Sequence, residues 1–282
     1  MRIIVAGCGW LGTEVARRLL QRGDEVVAIR RGPARAEALR ALGVEPLALD
    51  LAAPGAAARL PAGDAIVACQ SASGEDAASY RAAYLDANRA LLAAAARTGA
   101  TLVYTGSTGV FGQQDGSEAD EGTPPAPAGA NAEILTEAEA LVRGAGGRLL
   151  RLSGLYGPGR IGIVERVRSG RLALGPGDGA WMNFCHLEDA AALVLGALDR
   201  GTPGAVYHGS DAEPTRRRDV VAWIARRTGV DPRAGPASAG PDRRIRADRT
   251  RAELGLALAF PSFREGIEPL LPPRSPAGHR GG

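Results

Sequence analysis

The chain has 282 residues, a formal net charge of +3 and a hydrophobic fraction of 45%, enough apolar material for a core in one large domain or two small ones. All 34 basic residues are arginine, and the lack of lysine excludes Schiff-base chemistry and a phosphate loop ending in Gly-Lys-Ser/Thr. No apolar run reaches the ~18 residues that span a bilayer, and "MRIIVAG" shows no leader pattern, so the expectation is a cytoplasmic chain without a membrane partner.

"RIIVAG" (2–7) is a continuous apolar run, the pattern of a strand buried on both faces of a parallel sheet. "GCGWLG" follows, and "TEVARRLLQRG" sets Val15, Leu19 and Leu20 at helical spacing with Gly23 as a stop. "EVVAI" (25–29), "VEPLALD" (44–50) and "DAIVACQ" (64–70) read as the next strands, with a helix over 34–42. A long helix is predicted over 79–98, a fifth strand over 101–107, a loop over 113–130, a helix over 131–143 and a sixth strand over 148–154. After an irregular Gly-rich stretch at 174–184, a helix (187–198), a strand (205–209) and a helix from Arg217 return to the regular style. This alternation predicts an α/β fold, a doubly wound parallel sheet with a small C-terminal lobe. The expected organisation is a dinucleotide-binding domain over 1–155, rejoined by 187–209, a substrate-binding lobe from 156–186 and 210–272, and a disordered tail at 273–282.

Gly7, Gly9 and Gly12 have the spacing of a dinucleotide-binding turn, and they leave a buried strand and open a helix. The first glycine allows the tight turn, the second lets backbone approach a pyrophosphate, and the third lets helix pack on strand. Cys8, Trp10 and Leu11 lie in this loop, and nothing marks Cys8 as activated. At the end of the second strand an acid would bind ribose hydroxyls and an arginine a 2′-phosphate. The chain has Arg30 and Arg31 there, so NADP is expected, with NAD as the alternative. Asp50 ends the third strand, where it can accept from an adenine amino group or cap the next turn. The cysteines Cys8, Cys69 and Cys185 lack metal-ligand spacing, so no metal is expected. The arginine clusters at 216–218 and 243–246 lack interleaved aromatics and read as solvated faces, not a nucleic-acid surface.

"YTGSTGVFG" (104–112), "DEGTPPAP" (120–127), "RLSGLYGPGR" (151–160), "FCHLEDAA" (184–191) and "RIRADRTRAELGL" (244–256) occur in the order of one family's motifs. On these segments the chain resembles the extended short-chain dehydrogenase/reductases, in their epimerase/dehydratase-like branch, from residue 2 to about 271. The resemblance implies that Ser107 hydrogen-bonds a substrate oxygen, that Asn88 is the family's helix asparagine, and that Thr108, Tyr156, Gly157, Pro158 and Arg160 form the nicotinamide and substrate wall. It also implies a homodimer through the helices at 79–98 and 131–143. The family's general acid is a Tyr followed four residues later by a Lys, and its spacing places them on Asn131 and Leu135. This departure resembles an atypical subgroup that opens "Gly-x-Gly-Trp-Leu-Gly" and lacks the pair.

The expected function is that of an NADPH-dependent oxidoreductase acting on a small molecule, with Ser107 or Glu133 replacing the missing acid. Two alternatives stand beside it: a non-catalytic NADP(H)-binding sensor, and a sugar-nucleotide epimerase or dehydratase.

Overall fold

The apolar runs become strands of one parallel sheet. The computed structural model describes residues 1–175, 179–232, 234–235 and 240–272. Its first half carries β1 (Arg2–Ala6), α1 (Trp10–Gln21), β2 (Glu25–Arg30), α2 (Pro33–Glu37), β3 (Glu45–Ala48), α3 (Ala56–Arg59), β4 (Ala65–Ala68), α4 (Ala77–Tyr80), α5 (Ala87–Thr98) and β5 (Thr101–Ser107). Then come β6 (Gln114–Ala119), α6 (Ala130–Gly144), β7 (Arg148–Leu152), β8 (Gly154–Tyr156), α7 (Gly162–Arg168), β9 (Trp181–Met182) and β10 (Phe184–His186). The chain continues through α8 (Leu187–Arg200), β11 (Val206–Gly209), β12 (Thr215–Arg216), α9 (Arg217–Thr228), β13 (Asp242–Ile245), α10 (Asp248–Leu254) and α11 (Phe263–Ile267).

Seven strands form the main sheet in the order β11-β7-β5-β4-β1-β2-β3, and every neighbouring pair is parallel. The order reverses between β1 and β4, which makes the sheet doubly wound and opens a crevice at the carboxyl ends of those strands. Side chains alternate across the sheet with a period of two. Ile3, Val5, Val26, Ala28, Ala65 and Val67 join the core layer of α1 and α8. Ile4, Ala6, Val27, Ile29, Ile66 and Ala68 face the layer of α5 and α6. Both faces are thus covered, which is why these strands read as unbroken apolar runs.

Two features depart from the sequence expectation, and the small lobe it called for has a core of its own. The segment 113–130, expected as a loop, contains β6, paired in parallel with β13. Its residues, Gln-Asp-Gly-Ser-Glu-Ala, bury little until Ala119, so main-chain pairing holds it and no apolar period announces it. The helix expected over 79–98 is interrupted by a π-helical stretch, Arg81–Asp86, between α4 and α5. A small lobe from β8–β10, α7, α9 and α11 has its own core around Tyr156, Val164, Phe184, Val220 and Phe263. The tail at 273–282 lies outside the described residues.

Asp211 follows β11 and is 3% exposed. Neither carboxylate oxygen meets full hydrogen-bond geometry, and burial pushes the carboxyl up to about 8, with Glu213 and Glu265 adding to the effect and the nearby Phe184 and Phe263 backbone only partly offsetting it. Among the described residues no helix is long and apolar enough to cross a membrane.

Candidate cofactor and substrate site

Gly7 follows β1 at φ +75°, where a Cβ would stand 2.4 Å from the Gln70 backbone. A Cβ on Gly12 would lie 2.7 Å from the Gly7 carbonyl, so the first turn of α1 rests directly on the loop. Gly9 differs: a Cβ there would meet only the Gly7 carbonyl, at 3.8 Å, and the residue faces a cleft. Helix α1 starts at Trp10 with no side-chain cap and no acid in its first turn. Its leading N–H groups and the positive end of its dipole are therefore free for an anion.

The cleft has a volume of about 690 Å³, the size of a cofactor or drug-sized pocket. It runs along the carboxyl ends of β1 to β5 and β7. Gly7, Gly9, Trp10, Leu11, Arg30, Arg31, Asp50, Ser107, Thr108 and Arg160 all line it. Arg30 and Arg31 lie at the end of β2 and are joined at the cleft by Arg35 of α2. Among the described residues no carboxylate pairs with any of the three. Asp50 accepts from the Ala52 N–H at 3.0 Å and so caps its turn while facing the cleft.

Around Ser107 the wall is polar. The Ser107 Oγ accepts from the Gly109 N–H at 3.0 Å, which leaves its own O–H free to donate. Gln70 Nε2 donates to Asn88 Oδ1 at 2.9 Å, and Asn88 Nδ2 donates to the Tyr84 carbonyl at 2.8 Å. This chain fixes the end of β4 to the π-helical stretch, which presents Ala82, Ala83 and Tyr84 to the cleft. Gln70 Oε1 and Ser153 Oγ, on lining residues, are buried without a partner. Such orphans need an explanation, and a bound ligand supplies one. An open glycine backbone, an uncapped helix start and unmatched polar atoms together fit a dinucleotide.

Other candidates stand elsewhere. Gly157 packs behind the Trp10 ring and His186. Tyr156 is buried in the small-lobe core, edge-on to Phe184 and His186, with its hydroxyl donating to the Ser262 carbonyl at 3.4 Å. Asn131 donates to the Glu75 carbonyl at 2.7 Å. Glu133 is exposed in the first turn of α6 and does not reach the cleft wall. Leu135 is buried in a small cluster with Val110, Phe111, Ala119 and Ile245, against which Tyr80 and Tyr84 pack. Trp10 Nε1 donates to the Pro158 carbonyl at 3.1 Å, and the Arg160 guanidinium lies 5.3 Å over the Trp10 ring, so the glycine loop holds the 157–160 turn.

Sequence reasoning passed over Gln70, Tyr84, Ser153, Arg35 and Arg243, all at the cleft. Gln70 was findable, because it directly follows a buried strand. Burial raises the Tyr84 phenol above its ordinary value, so near neutral pH it is held in its protonated form. Burial likewise raises the Cys8 thiol and pushes Cys69 up to about 12, which leaves both as packing groups. Among the described residues no cluster of His, Cys, Asp and Glu could hold a metal ion.

The sequence profile of the NAD-dependent epimerase/dehydratase family matches residues 3–208. Protein YeeZ of Escherichia coli is 28% identical over 281 residues, covering 92% of this chain and 96% of the relative. The 2-alkyl-3-oxoalkanoate reductase of Stenotrophomonas maltophilia is 30% identical over 258 residues, covering 82% of this chain and 76% of that one. A solved structure from Methylobacillus flagellatus, described as a candidate NAD-dependent epimerase/dehydratase, is 31% identical with a TM-score of 0.75, covering 95% of this chain and 97% of its own.

Proposed function

The chain belongs to the NAD-dependent epimerase/dehydratase family, and from that premise we propose that it is an NADPH-dependent oxidoreductase reducing a carbonyl of a small molecule. When bound, a nicotinamide cofactor supplies hydride to such a carbonyl. The observation that carries the reading is the convergence of Gly7, Gly9 and the α1 start with Ser107 in one cleft.

The chain's own residues divide the remaining work. Gly9 and the first N–H groups of α1 hold the pyrophosphate. Arg30, Arg31 and Arg35 take the 2′-phosphate, and Asp50 faces the adenine end. Ser107 donates to the substrate oxygen and polarises the carbonyl, while Tyr84 is the one phenol among the described lining residues and supplies the proton. Glu133 has no part in this assignment, because the cleft does not reach it. Leu135 of α6 packs in a core cluster and the chain has no lysine, so no lysine assists Tyr84.

Purified protein, NADPH and a panel of ketones and aldehydes followed at the nicotinamide absorbance test the assignment. Ser107→Ala is expected to lower kcat/KM by ~10²–10³, as for the loss of one oxyanion donor, and Tyr84→Phe by ~10²-fold. Turnover undiminished in Ser107→Ala would remove that residue from the mechanism. Tight NADPH binding with no turnover on any substrate would move the assignment to a non-catalytic sensor. That second reading has its own support in the buried Leu135, which contributes no charge to the cleft.

The cofactor preference is tested separately. NADPH is expected to bind at least ~10-fold tighter than NADH, with the gap closing in Arg30→Ala/Arg31→Ala, since charge-assisted hydrogen bonds contribute ~1.5–3 kcal/mol. Equal affinities that survive both substitutions would reverse the preference to NAD.

A further inference from the structure

In the arginine cluster at 243–246, expected as a solvated face, Arg244 and Arg246 are solvated and pair with Glu118, but Arg243 is not. Arg243 lies on β13, is 8% exposed and reaches the cleft. Its Nη2 donates to the Thr108 carbonyl at 2.8 Å, and its Nε is buried without a partner. Among the described residues no carboxylate pairs with it. The fully buried Arg151 provides the contrast: its Nε and Nη2 donate to Glu139, the latter at 2.8 Å, with both side chains nearly inaccessible. A guanidinium has five donors, and Arg243 satisfies one of them within the protein. Burial alone depresses its affinity for a proton, with no anion to offset the effect. An uncompensated buried cation is costly, and a fold keeps one most readily where a ligand completes it.

The placement defines the ligand. The tie to the Thr108 carbonyl sets Arg243 beside Ser107, at the reacting end of the cleft and away from Arg30 and Arg31. Arg160 lines the same cleft as an exposed second cation. Resting on the reading of this cleft as a cofactor and substrate site, the geometry points to a carboxylate-bearing substrate, an oxo acid, whose anionic end is received by Arg243 while its carbonyl meets Ser107. Arg243 is then the specificity-determining residue: a planar guanidinium suits a planar carboxylate, and an ester or amide of the same acid leaves it unmatched. Arg160 draws the anion in without being buried against it.

The test uses the full-length protein saturated with NADPH. Acetoacetate and its longer-chain homologues are titrated against their methyl esters, with binding read from the fluorescence of the bound nicotinamide and turnover from its absorbance. The acids are expected to bind at least ~10-fold tighter than the esters, and the preference is expected to shrink with added salt. Arg243→Met is expected to abolish the preference while leaving NADPH affinity unchanged, and Arg243→Lys to restore part of it. If Arg243→Met does not fold, the acid-to-ester ratio of the parent protein still decides. A ratio near one, no acid binding at all, or a preference that survives Arg243→Met would overturn the proposal. Competition by inorganic phosphate with none by the acids would overturn the carboxylate assignment. Failure to bind NADPH would instead strike the oxidoreductase reading beneath it.

Discussion

Gly9→Ala is expected to fold as the parent does and to lose ~10²-fold in cofactor affinity, about 2.7 kcal/mol. The added methyl meets nothing in the protein closer than the Gly7 carbonyl at 3.8 Å, yet it enters the space where backbone must approach the pyrophosphate. Gly7→Ala is expected to act differently, on the fold itself. Its Cβ would collide with the Gln70 backbone at 2.4 Å, and φ +75° adds ~1–2 kcal/mol for a residue with a side chain. With overpacking at ~1–3 kcal/mol, the melting temperature should fall by roughly 5 °C or more. Thermal unfolding and NADPH titration of the two variants separate the effects. An unaltered NADPH affinity in Gly9→Ala would place the cofactor elsewhere.

Asp211→Asn is expected to raise the melting temperature at about pH 8 more than at about pH 5. In an unfolded chain this carboxyl titrates near ~3.9, whereas burial pushes it up to about 8 in the fold. Between those values the folded state holds a proton that the unfolded state has released. The contribution to stability is therefore complete below about pH 4, declines as pH rises by up to ~1.4 kcal/mol per unit, and levels off above about pH 8. Glu213, Glu265, Tyr156 and Cys185 surround the group, and none can neutralise a carboxylate. A neutral amide removes the pH term. The same gain at both pH values would mean that Asp211 stays ionised in the fold.

The strands β1, β2, β4 and β5 were legible because each is buried on both faces, so the sequence repeats apolar residues without a gap. The cofactor loop was legible because glycine is required there for steric reasons that no other residue meets. Other parts left no such trace. β6 depends on main-chain pairing, and six mostly polar residues carry no period. The π-helical stretch differs from a regular helix by one hydrogen-bond step, which an alanine-rich run does not reveal. Tyr156 sits in a motif that suggests the substrate wall, but its ring is enclosed by a segment 106 residues later, a contact that local reading cannot reach. Arg243 was hidden by composition: in a chain whose 34 basic residues are all arginine, one buried guanidinium looks like any solvated one.

The pairing of β6 with β13 also orders the assembly of the molecule. The seven main-sheet strands end at Gly209, so a growing polypeptide that has emerged that far already carries the glycine loop, Arg30, Arg31 and Ser107. The contact between Arg243 and the Thr108 carbonyl spans 135 residues, and closing so long a loop comes late in folding. The glycine loop and the Arg243 end of the cleft therefore mature in succession, and the segment that follows Gly209 completes the cleft.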